Sequence, residues 1–191
     1  MKSLKYLAGY IPILSSCLSL YFQGVWSFFA VFVVFGIIPI MEIFTPKSTA
    51  NLDKVRESSI LVNRIFDWLL YLNLPLLYAL IGYYFITLTT FDLRVFEIVG
   101  MTLSVGIACG SAGINVAHEL GHRKTTYERV LSQMLLLPEF YMHFYLEHNL
   151  GHHKNVATPE DPATSRFGEN IYSFFVRSVT QSYISAWKIQ L

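Results

Sequence analysis

Charged residues are scarce in this 191-residue chain, at 14%, whereas soluble domains average about 25%. Hydrophobic residues make up 53% of the chain and aromatic residues 16%. This composition excludes intrinsic disorder, which requires low hydrophobicity and high charge, and it favours surroundings that are largely lipid. The 14 basic and 13 acidic residues give a net charge of +1, so the chain lacks the basic surface typical of nucleic-acid binding.

Cysteine is also rare, with Cys17 and Cys109 both in apolar runs and no CxxC pair. This excludes a disulfide scaffold and predicts two buried thiols that pack as small hydrophobic groups. Lys2 and Lys5 followed by an apolar run to Cys17 are reminiscent of a lipoprotein signal. Because residues 18–22 stay apolar, we expect no cleavage there.

Four apolar stretches are candidates for membrane spans, since a spanning helix needs about 20 mostly apolar residues. They are residues 6–22, 24–41, 68–91 and 98–117. The chain between the second and third stretches, residues 45–67, is polar and is expected to form a loop or a surface helix. The sequence therefore predicts an all-α, multi-pass membrane protein, organised as a single membrane domain over residues 1–191.

Basic residues predict the orientation of these spans. Ten of them precede the first span, fill the central loop or follow the fourth span, and only Arg94 falls in the opposite set. We therefore expect the spans to lie in pairs in the inner (cytoplasmic) membrane, with the histidine-rich region on the cytoplasmic side.

All six histidines fall between His118 and His153. HELGH places two imidazoles four residues apart, and HNLGHH repeats that spacing and adds a third ring. Five rings exceed what one tetrahedral zinc takes from a protein, which favours more than one metal or an expanded coordination. The predicted metal ligands are His118, His122, His148, His152 and His153. His143 is expected to have a packing or supporting role instead.

Two other functions fit part of this pattern. HELGH also matches the HExxH signature of zinc metalloproteases, in which Glu119 would be the general base, so an intramembrane protease is one alternative. A non-enzymatic membrane metal-binding or transport protein is another. That alternative predicts ligands at the bilayer midplane on broken helices rather than at the end of a span.

The segment between the two histidine motifs, residues 130–146, is a poor single span. We expect a re-entrant or interfacial helix pair broken at Pro138, which would bring the two motifs face to face. Farther along, Asp161 and Glu160 are candidates to orient imidazole N–H groups. Small residues lie just before the first motif, where helix packing is the favoured explanation and a substrate passage the second. They are Gly106, Ala108, Gly110, Ala112 and Gly113.

The two motifs resemble those of the integral-membrane alkane monooxygenases, which are of the membrane fatty-acid desaturase/hydroxylase type. Residues 115–123 are similar to the first histidine motif of that family, with Arg123 where lysine is common. Residues 147–169 are similar to the second, with Thr164 where serine is usual. The HxxxHH spacing differs from the HxxHH of the acyl desaturases.

This resemblance implies a non-haem di-iron centre that uses O2 to hydroxylate the terminal carbon of alkanes to 1-alkanols. It also implies electrons from rubredoxin and rubredoxin reductase and an alkane substrate taken from the bilayer. Family members carry further histidine motifs, and no histidine follows His153. We therefore expect this chain to be the N-terminal part of a longer enzyme and to be inactive alone.

Overall fold

The computed structural model describes residues 3–45 and 63–191, with side chains from residue 6 onward, and no strand occurs among these residues. A 3-10 helix over Ser3–Tyr10 leads into α1, Ile11–Phe22. Three longer helices follow: α2 over Gly24–Phe44, α3 over Ile65–Thr90 and α4 over Val95–Gly121. Then come α5, Thr126–Leu136, a bent helix α6 over residues 143–155, and α7, Ile171–Gln190.

Three of the four predicted spans are long and apolar enough to cross a membrane, namely α2, α3 and α4. The first stretch forms a shorter apolar helix over Tyr6–Phe22, part of it wound as a 3-10 helix before Pro12. Most of the polar loop predicted over residues 45–67 lies outside the described residues. The α3 and α4 helices begin three residues earlier than predicted and thereby include Asp67 and Glu97.

Glu97 shows why a charge does not end the helix here. Its Oε2 accepts the backbone N–H and the side-chain Nε of Arg94, both at 2.9 Å, which caps the start of α4. Its Oε1 accepts the N–H of Gly24 at 2.7 Å, which ties the start of α2 to the start of α4. The charge is thus paired within the helix terminus, where hydropathy alone predicts a boundary.

The chain divides into two compact units, Met1–Val116 and Ala117–Leu191. The first unit has a core of α1, α3 and α4 side chains that includes Leu20, Leu80, Met101 and Val105. Its outward side chains, such as Phe35 and Ile86, are exposed and apolar, as expected of helices that face lipid. The predicted single domain over residues 1–191 stays a prediction.

Serine hydroxyls join the helices of the first unit. Ser16 donates to the carbonyl oxygen of Ser104 at 2.6 Å, and Ser19 contacts the Ser104 hydroxyl at 3.1 Å. Ser104 in turn donates to the carbonyl oxygen of Ser27 at 2.8 Å. Hydroxyls that pair across helices are a common adhesive where lipid offers no hydrogen bonds.

The close helix approach in this unit lies at Gly100 rather than at the predicted small-residue stretch. A Cβ on Gly100 would lie 2.7 Å from the Phe28 ring and 2.8 Å from the Ser27 Cβ. Cβ atoms on Gly106 or Gly110 would meet no described atom within 4 Å. Ala108 and Ala112 are buried, so the packing explanation holds for only part of the stretch.

The second unit contains the end of α4 and helices α5, α6 and α7. The predicted break at Pro138 is confirmed: α5 ends at Leu136, a 3-10 turn covers Leu137–Glu139, and Phe140 adopts φ +53°. Ser132 of α5 donates to the carbonyl oxygen of Ala117 at 2.6 Å, which holds α5 against the end of α4. This turn brings the two histidine motifs into one unit.

Candidate metal centre

The first motif lies at the C-terminal end of α4. His118 and His122 are four residues apart, one helical turn, and their Nε2 atoms are 3.0 Å apart. A π-turn over Cys109–Ile114 immediately precedes the motif. Such turns are rare in helices and occur frequently at functional sites.

A second π-turn, over Glu147–His152, contains most of the second motif. Its bond from the His153 N–H to the His148 carbonyl joins residues five apart. In an α-helix residues five apart lie about 140° apart around the axis, on different faces. The wider π-turn brings them closer to one side, and the Nε2 atoms of His148 and His153 are 3.1 Å apart.

The two motifs meet at His122 and His148, whose Nε2 atoms are 3.1 Å apart. Four Nε2 atoms therefore form a continuous series, in the order His118, His122, His148, His153. The ring of His152 lies beside this series, with its centroid 5.3 Å from that of His148. The structure thus brings together all five of the predicted ligands.

Hydrogen bonding alone does not satisfy this arrangement. A ring nitrogen is either a donor or an acceptor, yet Nε2 of His122 and Nε2 of His148 each face two other ring nitrogens. Two nitrogens bound to one ion at about 2.1 Å are about 3.0 Å apart at right angles and about 3.4 Å apart at the tetrahedral angle. The observed 3.0–3.1 Å spacings therefore fit metal ligation, with more than four ligands around the ion favoured over a tetrahedral set.

The electrostatics of His148 suit the same role. Burial, followed by the neighbouring imidazoles His118, His153, His122 and His152, lowers the pKa of His148 to about 4. The ring is therefore neutral at pH 7, which is the form that binds metals. His118, His122 and His153 are exposed, so the cluster is open on one side within the described residues.

Asp161 orients His152, as one of the two carboxylate candidates from the sequence. Its Oδ2 lies 2.9 Å from Nδ1 of His152, and its side chain is fully buried. Burial alone would raise the pKa of Asp161, but hydrogen bonds from Thr164, Ala163 and His152 outweigh it and lower that pKa. The other candidate, Glu160, is exposed.

His143 lies apart from the imidazole cluster. Its ring packs edge-on against Tyr141 and Tyr183, with centroids 4.6 and 5.1 Å away. Burial lowers its pKa, and its Nε2 is buried without a hydrogen-bond partner among the described residues. It lines a cavity of about 510 Å³ between α5, α6 and α7.

Glu119, the general base of the protease alternative, is ion-paired with Arg123, Oε1 to NH2, at 3.0 Å. Its side chain is 53% exposed. A general base on zinc-bound water would need its carboxylate free and directed at the metal. This pairing weighs against the protease alternative.

Sequence reasoning missed the glycines that precede a histidine in each motif. A Cβ on Gly121 would lie 3.2 Å from the Ser132 hydroxyl, and one on Gly151 would lie 2.5 Å from Oε1 of Glu147. The signal was present, because both motifs have glycine at the same place before the second histidine. Close approach of neighbouring chain segments requires it.

Comparison with known proteins bears on the same region. Residues 93–191, just over half of the chain, match the family model for fatty acid desaturase. The chain belongs to this family. The matched region begins just before α4 and includes both histidine motifs.

Individual relatives share a narrower name. Alkane 1-monooxygenase 1 of Alcanivorax borkumensis is 35% identical over 167 residues, which cover 87% of this chain and 41% of the relative. Alkane 1-monooxygenase of Pseudomonas putida is 37% identical over 158 residues, 83% of this chain and 39% of the relative. The hydroxylase component of the xylene/toluene monooxygenase of Pseudomonas putida is 27% identical over 202 residues, 100% of this chain and 50% of the relative.

These matches confirm the family resemblance seen in the motifs. The chain spans about two fifths of the length of the two alkane monooxygenases.

Proposed function

We propose that this chain carries part of the metal centre of a membrane monooxygenase that hydroxylates the terminal carbon of alkanes to 1-alkanols. The metal is a pair of non-haem irons, and the five ligands contributed here are His118, His122, His148, His152 and His153. Electrons come from rubredoxin and rubredoxin reductase, and the alkane enters from the bilayer.

The observation that carries the proposal is the series of Nε2 atoms that runs across both motifs at 3.0–3.1 Å. Imidazole suits iron as well as zinc and copper. Iron is favoured over zinc by the number of imidazoles, by the right-angle spacing and by the names of the relatives.

The residues of this chain act by binding and orienting. His122 and His148 link the two motifs, so loss of either separates the ligands into two groups. Asp161 holds the proton on Nδ1 of His152 and leaves Nε2 as the donor atom. Iron, when bound, supplies oxygen chemistry in which two electrons and two protons convert O2 and alkane to alcohol and water.

The decisive experiment uses the whole protein as its gene encodes it, in membranes with a reducing system, n-octane and 18O2. We expect 1-octanol that contains 18O and is formed only with the reductant. Absence of labelled alcohol from octane would overturn the proposal. Toluene in a parallel reaction tests the aromatic substrate class named for the xylene/toluene relative.

Glu119→Gln separates the hydroxylase from the zinc protease. Because Glu119 is paired with Arg123 rather than with the imidazoles, we expect the variant to retain alcohol formation. Under the protease alternative the same variant loses all activity. The third possibility, a non-enzymatic metal-binding protein, predicts bound metal without oxygen incorporation in either protein.

The inner-membrane location and the cytoplasmic side of the histidines rest on the distribution of basic residues. A reporter enzyme fused after Lys154 tests them. We expect cytoplasmic activity of the reporter, and periplasmic activity would overturn the orientation.

A further inference from the structure

Asp161 is itself held from two sides. The hydroxyl of Thr164 donates a short hydrogen bond to Oδ2, the oxygen that also accepts from His152. The N–H of Ala163 donates to Oδ1 at 2.9 Å. Both carboxylate oxygens are thus occupied, which leaves Asp161 one orientation.

Thr164 uses its hydroxyl in both directions. Besides donating to Asp161, Oγ1 accepts the N–H of Ala157 at 2.9 Å. Ala157 has φ +66°, in the left-handed region that residues with a side chain rarely adopt. The hydroxyl therefore joins the start of the loop after α6 to the carboxylate that orients His152.

Arg177 of α7 anchors the same loop from outside. NH1 donates to the carbonyl oxygen of Pro162 at 3.0 Å, and NH2 donates to that of Thr164 at 2.9 Å. These carbonyls lie one and three residues after Asp161. Its guanidinium also forms a two-pronged pair with Glu169, Nε to Oε1 at 2.7 Å and NH2 to Oε2 at 2.6 Å.

Arg177 and Glu169 are both largely buried, with side chains 12% and 11% exposed. Four directed hydrogen bonds from one guanidinium need its planar fork, which the point charge of lysine cannot reproduce. Nothing in this network touches the imidazole cluster except Asp161. Its effect on the cluster therefore passes through a single contact, from Asp161 to His152.

We propose that Arg177 and Thr164 are positioning residues for His152: they fix Asp161 so that it keeps the proton of His152 on Nδ1 and directs Nε2 to the metal. Only the word metal rests on the proposed function, because the network of hydrogen bonds and its effect on the tautomer exist without an ion.

The test measures the tautomer first, in metal-free protein. The full chain is labelled with 15N-histidine in detergent, and the His152 signal is the one lost in His152→Asn. We expect the Nδ1–H tautomer in the unmodified protein and in Thr164→Ser, which keeps the hydroxyl. Thr164→Val and Arg177→Lys should give a mixture of tautomers.

The second readout is the affinity for Co(II), followed by its visible absorption. Thr164→Val and Arg177→Lys should each weaken binding about 10- to 100-fold, the range found when the support of a ligand is lost. Thr164→Ser should stay close to the unmodified protein. Gly100→Ala, a change in the first unit, controls for a loss of stability alone and should leave the tautomer intact.

Unchanged tautomer and Co(II) affinity in both Thr164→Val and Arg177→Lys would overturn the proposal, as would an Nε2–H tautomer in the unmodified protein. Because the two variants alter different ends of the network, either one alone suffices if the other does not fold. Failure of the hydroxylase proposal gives a different result, in which the tautomer shifts as expected but no alcohol is formed.

Discussion

The two units of this chain differ in how they treat buried polar groups. In the first unit, Ser16, Ser19 and Ser104 are hydrogen-bonded to one another or to backbone carbonyls, and only the Ser27 hydroxyl lacks a partner among the described residues. In the second unit, buried groups without a partner among the described residues are chemically more active: both carboxylate oxygens of Glu139, Oε1 of Glu147 and Nε2 of His143.

Unpaired buried groups are costly and uncommon in folded proteins, so a cluster of them calls for a reason. The first unit uses polarity for packing, and its substitutions should alter stability. The second unit concentrates imidazoles and carboxylates around the candidate metal centre, and its substitutions should alter metal binding. The difference between the units makes each of these expectations testable.

The largest effect is expected for His148→Ala. Because Nε2 of His148 contacts those of His122 and His153, its loss should weaken Co(II) or Fe(II) binding by more than about 100-fold, beyond the range for loss of a supporting residue. His143→Ala is the matched control and should leave the affinity nearly unchanged. Isothermal titration of the full chain measures both, and equal losses in the two variants would contradict the ligand assignment.

Gly100→Ala should have the largest effect on the first unit. The added methyl group would lie 2.7 Å from the Phe28 ring, and overpacking of this kind costs about 1–3 kcal/mol of unfolding free energy. Gly106→Ala in the same helix meets open space and should instead stabilise by about 0.5–1 kcal/mol. Unfolding in mixed micelles measures the pair, and metal affinity should be unchanged in Gly106→Ala.

Glu139→Gln should stabilise the protein in a pH-dependent way. Burial raises the pKa of Glu139 from 4.5 to about 7, so the folded state favours the protonated carboxyl. Stability is therefore full below pH 4.5 and is lost as the pH rises through about 7. The variant should be more stable than the unmodified protein by about 1–2 kcal/mol at pH 8, and equally stable at pH 4. A difference that grows towards low pH would show the opposite sign and contradict the assignment.

Ser104→Ala should have the smallest effect. It removes hydrogen bonds to Ser19 and to the Ser27 carbonyl, and such bonds between membrane helices contribute about 0.6 kcal/mol on average and about 1.7 at most. Thr89→Ala is the control, because its hydroxyl bonds only to carbonyls of its own helix. Equal loss of unfolding free energy in both variants would mean that the serine contacts do not join the helices.

Hydropathy predicted the spanning helices because apolar length alone sets that requirement. It misplaced the starts of α3 and α4 by three residues, since a window ends at Asp67 or Glu97 whereas the backbone hydrogen bonds continue through a paired charge. It could not show that Tyr6–Phe22 is partly a tighter 3-10 helix.

The histidine spacing and Pro138 were enough to predict that the two motifs meet. The π-turn at Glu147–His152 could not be predicted, because helical periodicity assumes 3.6 residues per turn. With hindsight, the spacing of five between His148 and His153 was a signal for it. Arg177 was missed because its role depends on a loop that returns to α7, and no local pattern encodes that contact.

The central claim is that imidazoles from both motifs bind one metal centre. X-ray absorption at the iron edge, on Fe(II)-loaded protein, tests it most directly. We predict nitrogen neighbours at about 2.1 Å with the outer-shell scattering of several imidazole rings, reduced in His122→Ala and in His148→Ala alike. A spectrum with only oxygen neighbours, or one that changes in neither variant, would contradict the account.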